Sequence, residues 1–246
     1  MDRSLYLAMN AAKQVQLHQA TNTNNIANAS TTGFRADFDV FNSLPVQGAG
    51  SAARVYSQDA RGGINFSGGA LQQTGRQLDI AVDGDGFIEI QSPDGSSAYT
   101  RAGDLRVTSS GLLETGAGHP VLGNSGPIAL PPFDQLEIGG DGTISILPAG
   151  QEANTLASID RISLVNPNLE DLEKGEDGLL RAVNGASIEA DASITVVSGV
   201  LEASNVNVIS ELLDMTSLAR NFEVNVRLMQ TIDENNSATT QLLRLN

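Results

Sequence analysis

The sequence contains no cysteine and no tryptophan. Without thiols it can build neither a disulfide framework nor a thiolate metal site. Aromatic residues are only 4 % of the chain against 25 glycines, a balance that suits many short strands and turns better than an aromatic-lined ligand pocket. Positive charge is scarce as well: 14 Lys and Arg face 29 Asp and Glu, a formal net charge of -15. Binding to a phosphate backbone needs clustered cations, so a role on nucleic acid is excluded. No stretch reaches the roughly 20 apolar residues of a membrane span. The start of the chain also lacks a basic segment leading into an apolar one, because Ser4–Ala12 is interrupted by Asn10 and runs into Lys13 and Gln14. A cleavable signal peptide is therefore not expected, and any export must use a route that reads none.

Enzyme signals are equally sparse. The two histidines, His18 and His119, have no metal-ligand spacing to any partner, and no Ser or Asp sits in a recognisable nucleophile–base motif. Gly116-Ala117-Gly118 lacks the third glycine and the following helix of a dinucleotide loop. Asp83-Gly84-Asp85-Gly86 has Phe87 where a calcium loop needs its next ligand, and reads as a tight turn feeding a strand. No catalytic, metal or cofactor residue is nominated.

What the chain does have is length, 246 residues with 40 % hydrophobic content, enough for one sizeable core or two small ones. Residues 1–35 carry three cations and one acid, and residues 205–246 carry three cations and five acids. These ends, +2 and -2, cancel, so the whole negative charge lies in residues 36–204. Near-neutral ends and an acidic middle suggest that the middle meets solvent while the ends pack against something.

The pattern divides the same way. Between Ser4 and Ser30 there is no Pro or Gly, and Leu5, Ala8, Ala12, Val15, Gln19, Asn22, Ile26 and Ala29 recur at alternating spacings of three and four. That is a helix with a narrow heptad seam. After Gly199 the spacing returns through Val208, Leu212, Met215, Ala219, Phe222, Val226, Met229, Asp233, Asn236, Thr240 and Leu243, predicting a helix of about 40 residues, on the order of 60 Å long. Asn205 and Asn207 are candidate caps, with Glu211 favourably placed near the helix start. Polar residues interrupt both seams, so neither helix is secure alone; each needs the other or a neighbouring subunit. The middle breaks into short alternating runs, Leu78–Val82, Phe87–Ile90, Ile128–Leu130, Thr143–Leu147 and Ser193–Val197, cut by Gly-rich turns. The expected fold class is α+β, with terminal heptad helices forming a coiled-coil-like α domain around an inserted, mainly antiparallel β domain. Expected boundaries are residues 1–35 for the first helix, 36–75 for an extended connector with short strands, 76–200 for the β domain and 201–246 for the last helix. Gly48–Ala53, Gly62-Gly63 and Gly68-Gly69 mark the connector.

Thr23–Arg35, TNNIANASTTGFR, is more specific. Asparagines disfavour helix, and Gly33 can take positive φ where the helix stops, giving a turn packed by Phe34. The cluster Asn24, Asn25, Ile26, Ala27, Asn28, Thr32, Gly33 and Phe34 resembles the signature of the flagellar rod and hook family. Three further stretches resemble it too: GALQQTGRQLDIAVDGDGF (Gly69–Phe87), YTRAGDLRV (Tyr99–Val107) and GVLEASNVNVISELLDMTSLARNFEVN (Gly199–Asn225). The start MDRSLYLAMNAAKQ is similar to the proximal-rod F type of that family. Ile88 stands where the family usually has a second Phe, Leu105 where it has Phe, and Arg35 where it often has Lys. The resemblance implies a structural subunit and not an enzyme, exported without a cleaved signal through the flagellar type III apparatus. It would assemble in the periplasm with copies of itself and neighbouring rod proteins into the torque-transmitting axial tube. The alternatives are a distal-rod G-type subunit or a secreted β-rich binding or adhesive protein. On this reading the assembly interface comprises Leu5, Ala8, Ala12, Val15, Asn24, Asn25, Ile26, Asn28, Gly33, Phe34, Val208, Leu212, Met215, Ala219, Phe222, Val226 and Met229.

Overall fold

A computed structural model describes residues 3–45, 55–150, 156–175, 177–185 and 187–244. The chain separates into two compact units. The first takes the chain up to Ala29, the segment Ala36–Asn65 and everything from Val206 onward; the second takes Ser30–Arg35 and Phe66–Asn205.

In the helical unit, α1 (Arg3–Ala27) and α2 (Val208–Arg244) pack on each other. α2 begins where expected because the Asn207 carboxamide oxygen accepts from the amides of Ile209 at 3.1 Å and Ser210 at 3.3 Å, covering donors that have no partner within the helix. Asn205, the other candidate cap, lies in the other unit. The segment expected as a connector contains a long antiparallel ribbon, β1 (Asp37–Pro45) paired with β2 (Val55–Ile64), which packs against α1. The Gly62-Gly63 pair does not break it, because Phe38 lies directly opposite Gly63 and a β-carbon at Gly63 would strike the Phe38 ring. The glycine is a seat for a cross-strand aromatic ring. The expected Gly-rich Gly48–Ala53 stretch falls outside the described residues.

Among its described residues the β unit contains sixteen short strands. They are β3 (Leu71–Gln73), β4 (Ile80–Asp83), β5 (Phe87–Gln91), β6 (Ser97–Thr100), β7 (Leu105–Val107), β8 (Leu113–Thr115), β9 (Leu122–Gly123) and β10 (Gly126–Pro127). The others are β11 (Phe133–Ile138), β12 (Thr143–Pro148), β13 (Ala157–Arg161), β14 (Leu164–Val165), β15 (Leu172–Lys174), β16 (Leu180–Ala182), β17 (Thr195–Ser198) and β18 (Val200–Glu202). All described pairings are antiparallel. The largest sheet has the order β14-β5-β6-β16-β15, beside a three-stranded sheet β11-β12-β13 and two-stranded pairs that include β4-β17 and β3-β18. Ile128–Leu130, expected as a strand, forms an isolated bridge between Ala129 and Leu112, with further backbone bonds from Leu113 to Ile128, Ile128 to Val121 and Leu130 to Gly111.

The core of this unit is aliphatic, as the low aromatic content requires. Ile80, Ile88, Ile90, Leu105, Leu113 and Ile144 are wholly out of water. Along β12 the burial alternates, with Ile144 and Ile146 inward and Thr143 and Ser145 only partly covered, the period-two signature of a half-buried sheet. Asp83–Gly86 forms the turn between β4 and β5, with Gly84 at φ 76° and Gly86 at φ 137°, a conformation that glycine adopts without strain.

Two boundaries thus differ from expectation. Residues 36–65 belong with the helices because the ribbon's backbone pairs internally and its neighbour is α1. Residues 30–35 belong with the β unit because their polar groups are satisfied there, Gly33 donating to the Glu202 carbonyl at 2.8 Å and Arg35 to the Ser67 carbonyl at 2.7 Å.

Candidate assembly surface

On α1, burial follows the expected seam. Ala8, Ala12 and Asn22 are buried, and Leu5, Val15 and Ile26 are half-buried. Two asparagines, Asn22 on the seam and Asn25 beside it, act as joints. The Asn25 side chain donates to the Asp37 carbonyl at 2.9 Å and accepts from the Asp37 amide at 3.0 Å, pinning the start of β1 to α1. Asn22, 4 % exposed, reaches the Glu211 carbonyl in the first turn of α2 at 3.5 Å. Thr21 adds a bond to Asp39 at 3.0 Å. Such paired polar groups at a helix interface fix register at some cost in stability. Asn24 is exposed, and Asn28 is half-buried with its carboxamide donating to the Asn24 carbonyl at 3.0 Å. Partial burial pushes the Glu211 carboxyl above its ordinary value, and the like charge of Asp214 adds to this; a hydrogen bond from Asn25 and the nearby His18 pull it back.

On α2 the shielded face differs from the expected seam. Glu211, Met215, Leu218, Phe222, Asn225 and Met229 are shielded, at spacings of four and three, with Val226 beside them. Met215, Phe222, Val226 and Met229 are where the sequence put them; Val208, Leu212 and Ala219 are exposed, and Leu218 takes the inward place. Periodicity alone missed Leu218 because α2 is apolar on more than one side. Ile209 is 72 % exposed, Leu213 65 %, Val224 63 % and Leu228 49 %. At 100° per residue these four lie within about 100° of each other and on the side opposite Phe222. They form two apolar pairs, Ile209 with Leu213 and Val224 with Leu228, on a face that also carries Thr216, Arg220 and Arg227, and large aliphatic side chains paired in water are more than the scattered apolar exposure of an ordinary surface. On α1, Tyr6 and Met9 are also about half exposed.

Gly33 and Phe34 are both buried within the β unit. Gly33 has φ 66°, the left-handed turn expected of it, and a β-carbon there would collide with the Arg101 backbone. The Lys174 ammonium stands 3.8 Å over the Phe34 ring.

Elsewhere the β unit offers an open groove of about 340 Å³ lined by Arg76, Leu78, Phe133 and Leu136 among others, with no convergent set of acid, base and nucleophile. Among the described residues no group of three or more His, Asp or Glu could hold a metal ion, and no helix is long and apolar enough to cross a membrane.

Three family profiles match successive parts of the chain. "Flagella basal body rod protein" covers residues 5–35, "Flagellar hook protein FlgE/F/G D1 domain" residues 81–146, and "Flagellar basal body rod FlgEFG protein C-terminal" residues 197–242. The flagellar basal-body rod protein FlgF of Escherichia coli (strain K12) is 39 % identical over 251 aligned residues, covering 100 % of both chains. The chain belongs to the flagellar basal-body rod protein family. FlgF of Salmonella typhimurium is 40 % identical, again over 100 % of both chains, whereas FlgG of Bacillus subtilis is 33 % identical over 95 % of this chain and 96 % of its own. Within the rod family the F type is therefore favoured over the G type. The rod profiles at the two ends fall on α1 with the TTGFR turn and on β18 with α2. A structural rod subunit accounts for a site made of surfaces and joints.

Proposed function

We propose that this subunit occupies the proximal rod and joins the axial tube through its terminal helices, with the outer stripe of α2 as the principal contact. The stripe of Ile209, Leu213, Val224 and Leu228 carries the reading, because the opposite face of α2 already packs on α1 and leaves these side chains in water. A second helix laid along them would bury them at close packing, and close-packed helices deform little under twist. The interface residues expected from the sequence then divide by role. Ala8, Ala12, Met215, Phe222 and Met229 hold the helix pair, while Val208, Leu212 and Ala219 remain available to neighbours. The acidic β unit stays solvated and keeps subunits from associating non-specifically. Export without a cleaved signal through the flagellar type III apparatus, followed by periplasmic assembly, completes the proposal; a helix pair with polar-interrupted seams is weakly held and readily unfolded, which suits passage through a narrow channel.

Mixing the purified protein with its neighbouring rod proteins and imaging by negative stain tests this. Rod-shaped particles that fail to form when Ile209 and Leu213 are both changed to Ser support it. Unchanged particles from that double variant would contradict the assignment of the stripe.

A further inference from the structure

The β unit is threaded by the chain in an unusual way. The chain passes between units after Ala29, Arg35, Asn65 and Asn205. The β-unit segments adjoining these four points, Ser30–Arg35, the stretch beginning at Phe66, and the stretch ending at Asn205, all meet at one side chain, Glu202, which is 3 % exposed. One carboxylate oxygen of Glu202 takes the Arg35 guanidinium at 2.6 Å and the Gly69 amide at 2.8 Å; the other takes Arg101 at 3.3 Å. Its carbonyl accepts from the Gly33 amide at 2.8 Å.

The surrounding bonds tie the same three segments again. Arg35 and the Asn205 carboxamide both donate to the Ser67 carbonyl, at 2.7 and 2.9 Å. The Asn205 amide donates to the Phe34 carbonyl at 3.3 Å, and Lys174 to the Arg35 carbonyl at 2.8 Å. Two glycines allow backbone to lie on backbone: a β-carbon at Gly33 would strike Arg101, and one at Gly69 would strike the Ala203 carbonyl. Arg101 also reaches the Gly84 carbonyl at 2.7 Å and lies 5.2 Å from the centre of the Phe87 ring, so the cluster is anchored in the β4–β5 turn.

Stability alone is a poor reason for this arrangement. Arg35 and Arg101 are 4 % and 7 % exposed and share one carboxylate. Two cations drawn out of water beside a single anion recover little net energy, and apolar replacements of such triads often do as well. What a bridging carboxylate supplies is connectivity, since one group joins at a single point the segments that the other bonds tie only pairwise. We propose that the Glu202 cluster is a mechanical coupler. It binds the segments by which the chain enters and leaves the β unit into one cooperative element, so that force along any of them reaches the whole unit and does not peel one segment away. Resistance to peeling has this use only in a subunit under torque, so the mechanical half of the proposal rests on the rod reading.

Amide hydrogen exchange on the full-length protein tests cooperativity without that reading. In Glu202→Gln the amides of Gly33, Gly69, Ala203 and Asn205 should all exchange at least tenfold faster, while the Glu89 and Leu113 amides of the sheet core keep their rates. Lys174→Met, which removes the Arg35 bond and the cation over Phe34 at the edge of the cluster, should give the same joint pattern at smaller amplitude, and it carries the test should Glu202→Gln not fold. Acceleration confined to Gly69 would overturn the proposal, as would equal acceleration of core and cluster amides. In cells, Lys174→Met should swim as wild type in dilute medium and lose speed at several-fold lower viscosity than wild type. Joint loosening with a wild-type viscosity response overturns the mechanical role. Absence of this protein from isolated basal bodies of wild-type cells would instead strike the rod reading.

Discussion

Leu213→Glu separates assembly from folding more cleanly than any other single change in this chain. Leu213 is 65 % exposed in the subunit, so replacing it by another helix former leaves α2 and its packing on α1 nearly untouched. Covering a whole leucine is worth about 1.5–3 kcal/mol, and covering the exposed part of this one about 1–2 kcal/mol by the same scale. The four-residue stripe together represents roughly 4–7 kcal/mol per contact. The glutamate removes its share and also places an unpaired carboxylate in a drying interface, which adds at least about 1–3 kcal/mol. A deficit of about 2–5 kcal/mol recurs at every subunit, on the order of thirtyfold to several thousandfold in each contact's equilibrium. Circular dichroism and thermal melting of the variant should match wild type within a degree or two, while rods are missing from basal bodies and cells do not swim. Normal swimming would refute the reasoning; so would a melted monomer, because the side chain would then belong to the subunit's own core.

Three other perturbations probe the units separately. Phe222→Asp, on the shielded face of α2, should loosen the helical unit by a few kcal/mol and leave β-unit melting unchanged; limited proteolysis should then cut α1 and α2 first. Gly33→Ala forces a side chain into φ 66° and into the Arg101 backbone; a cost of about 2 kcal/mol or more should lower β-unit melting by roughly 4–8 °C. Acid should act oppositely on two sets of carboxyls. Hydrogen bonds from Ser96, Thr143 and Ser193 hold the Asp94, Asp141 and Asp191 carboxyls below the ordinary 3.8. Their contribution is therefore present above 3.8 and is lost as pH falls through the depressed values. Burial raises Glu211 above 4.5, so the folded helical unit binds that proton more readily than the unfolded chain. Its contribution is present below 4.5 and is lost as pH rises through the raised value. Glu211→Gln should flatten that dependence in a pH series of α-helical melting, and an unchanged slope would contradict it.

The architecture was legible where one periodicity dominated. Ala8, Ala12 and Asn22 form a single stripe on α1, so the seam read from the sequence and the buried side coincide. On α2 the stripes overlap: Val208, Leu212 and Ala219 share an alternating spacing with Met215 and Phe222, yet Leu218 turns inward and those three stay in water. A helix with two apolar faces offers two offset seams, and only the position of α1 chooses between them. The β1–β2 ribbon was hidden because Gly62-Gly63 is a turn signal in isolation; only the Phe38 ring opposite Gly63 shows that the pair suits a strand. Likewise Gly33 announced its left-handed turn, whereas nothing local could show that Arg35 meets Glu202, since that contact depends on pairings across most of the chain.

The outer face of α2 as a covered assembly surface is the central claim, and thiol protection tests it most directly. The chain has no cysteine, so Val224→Cys provides a single reporter at a position 63 % exposed in the subunit. Maleimide labelling should be complete within minutes on the purified monomer and at least tenfold slower in isolated basal bodies. Equal labelling in both would show that the stripe remains in water after assembly, and would contradict the account.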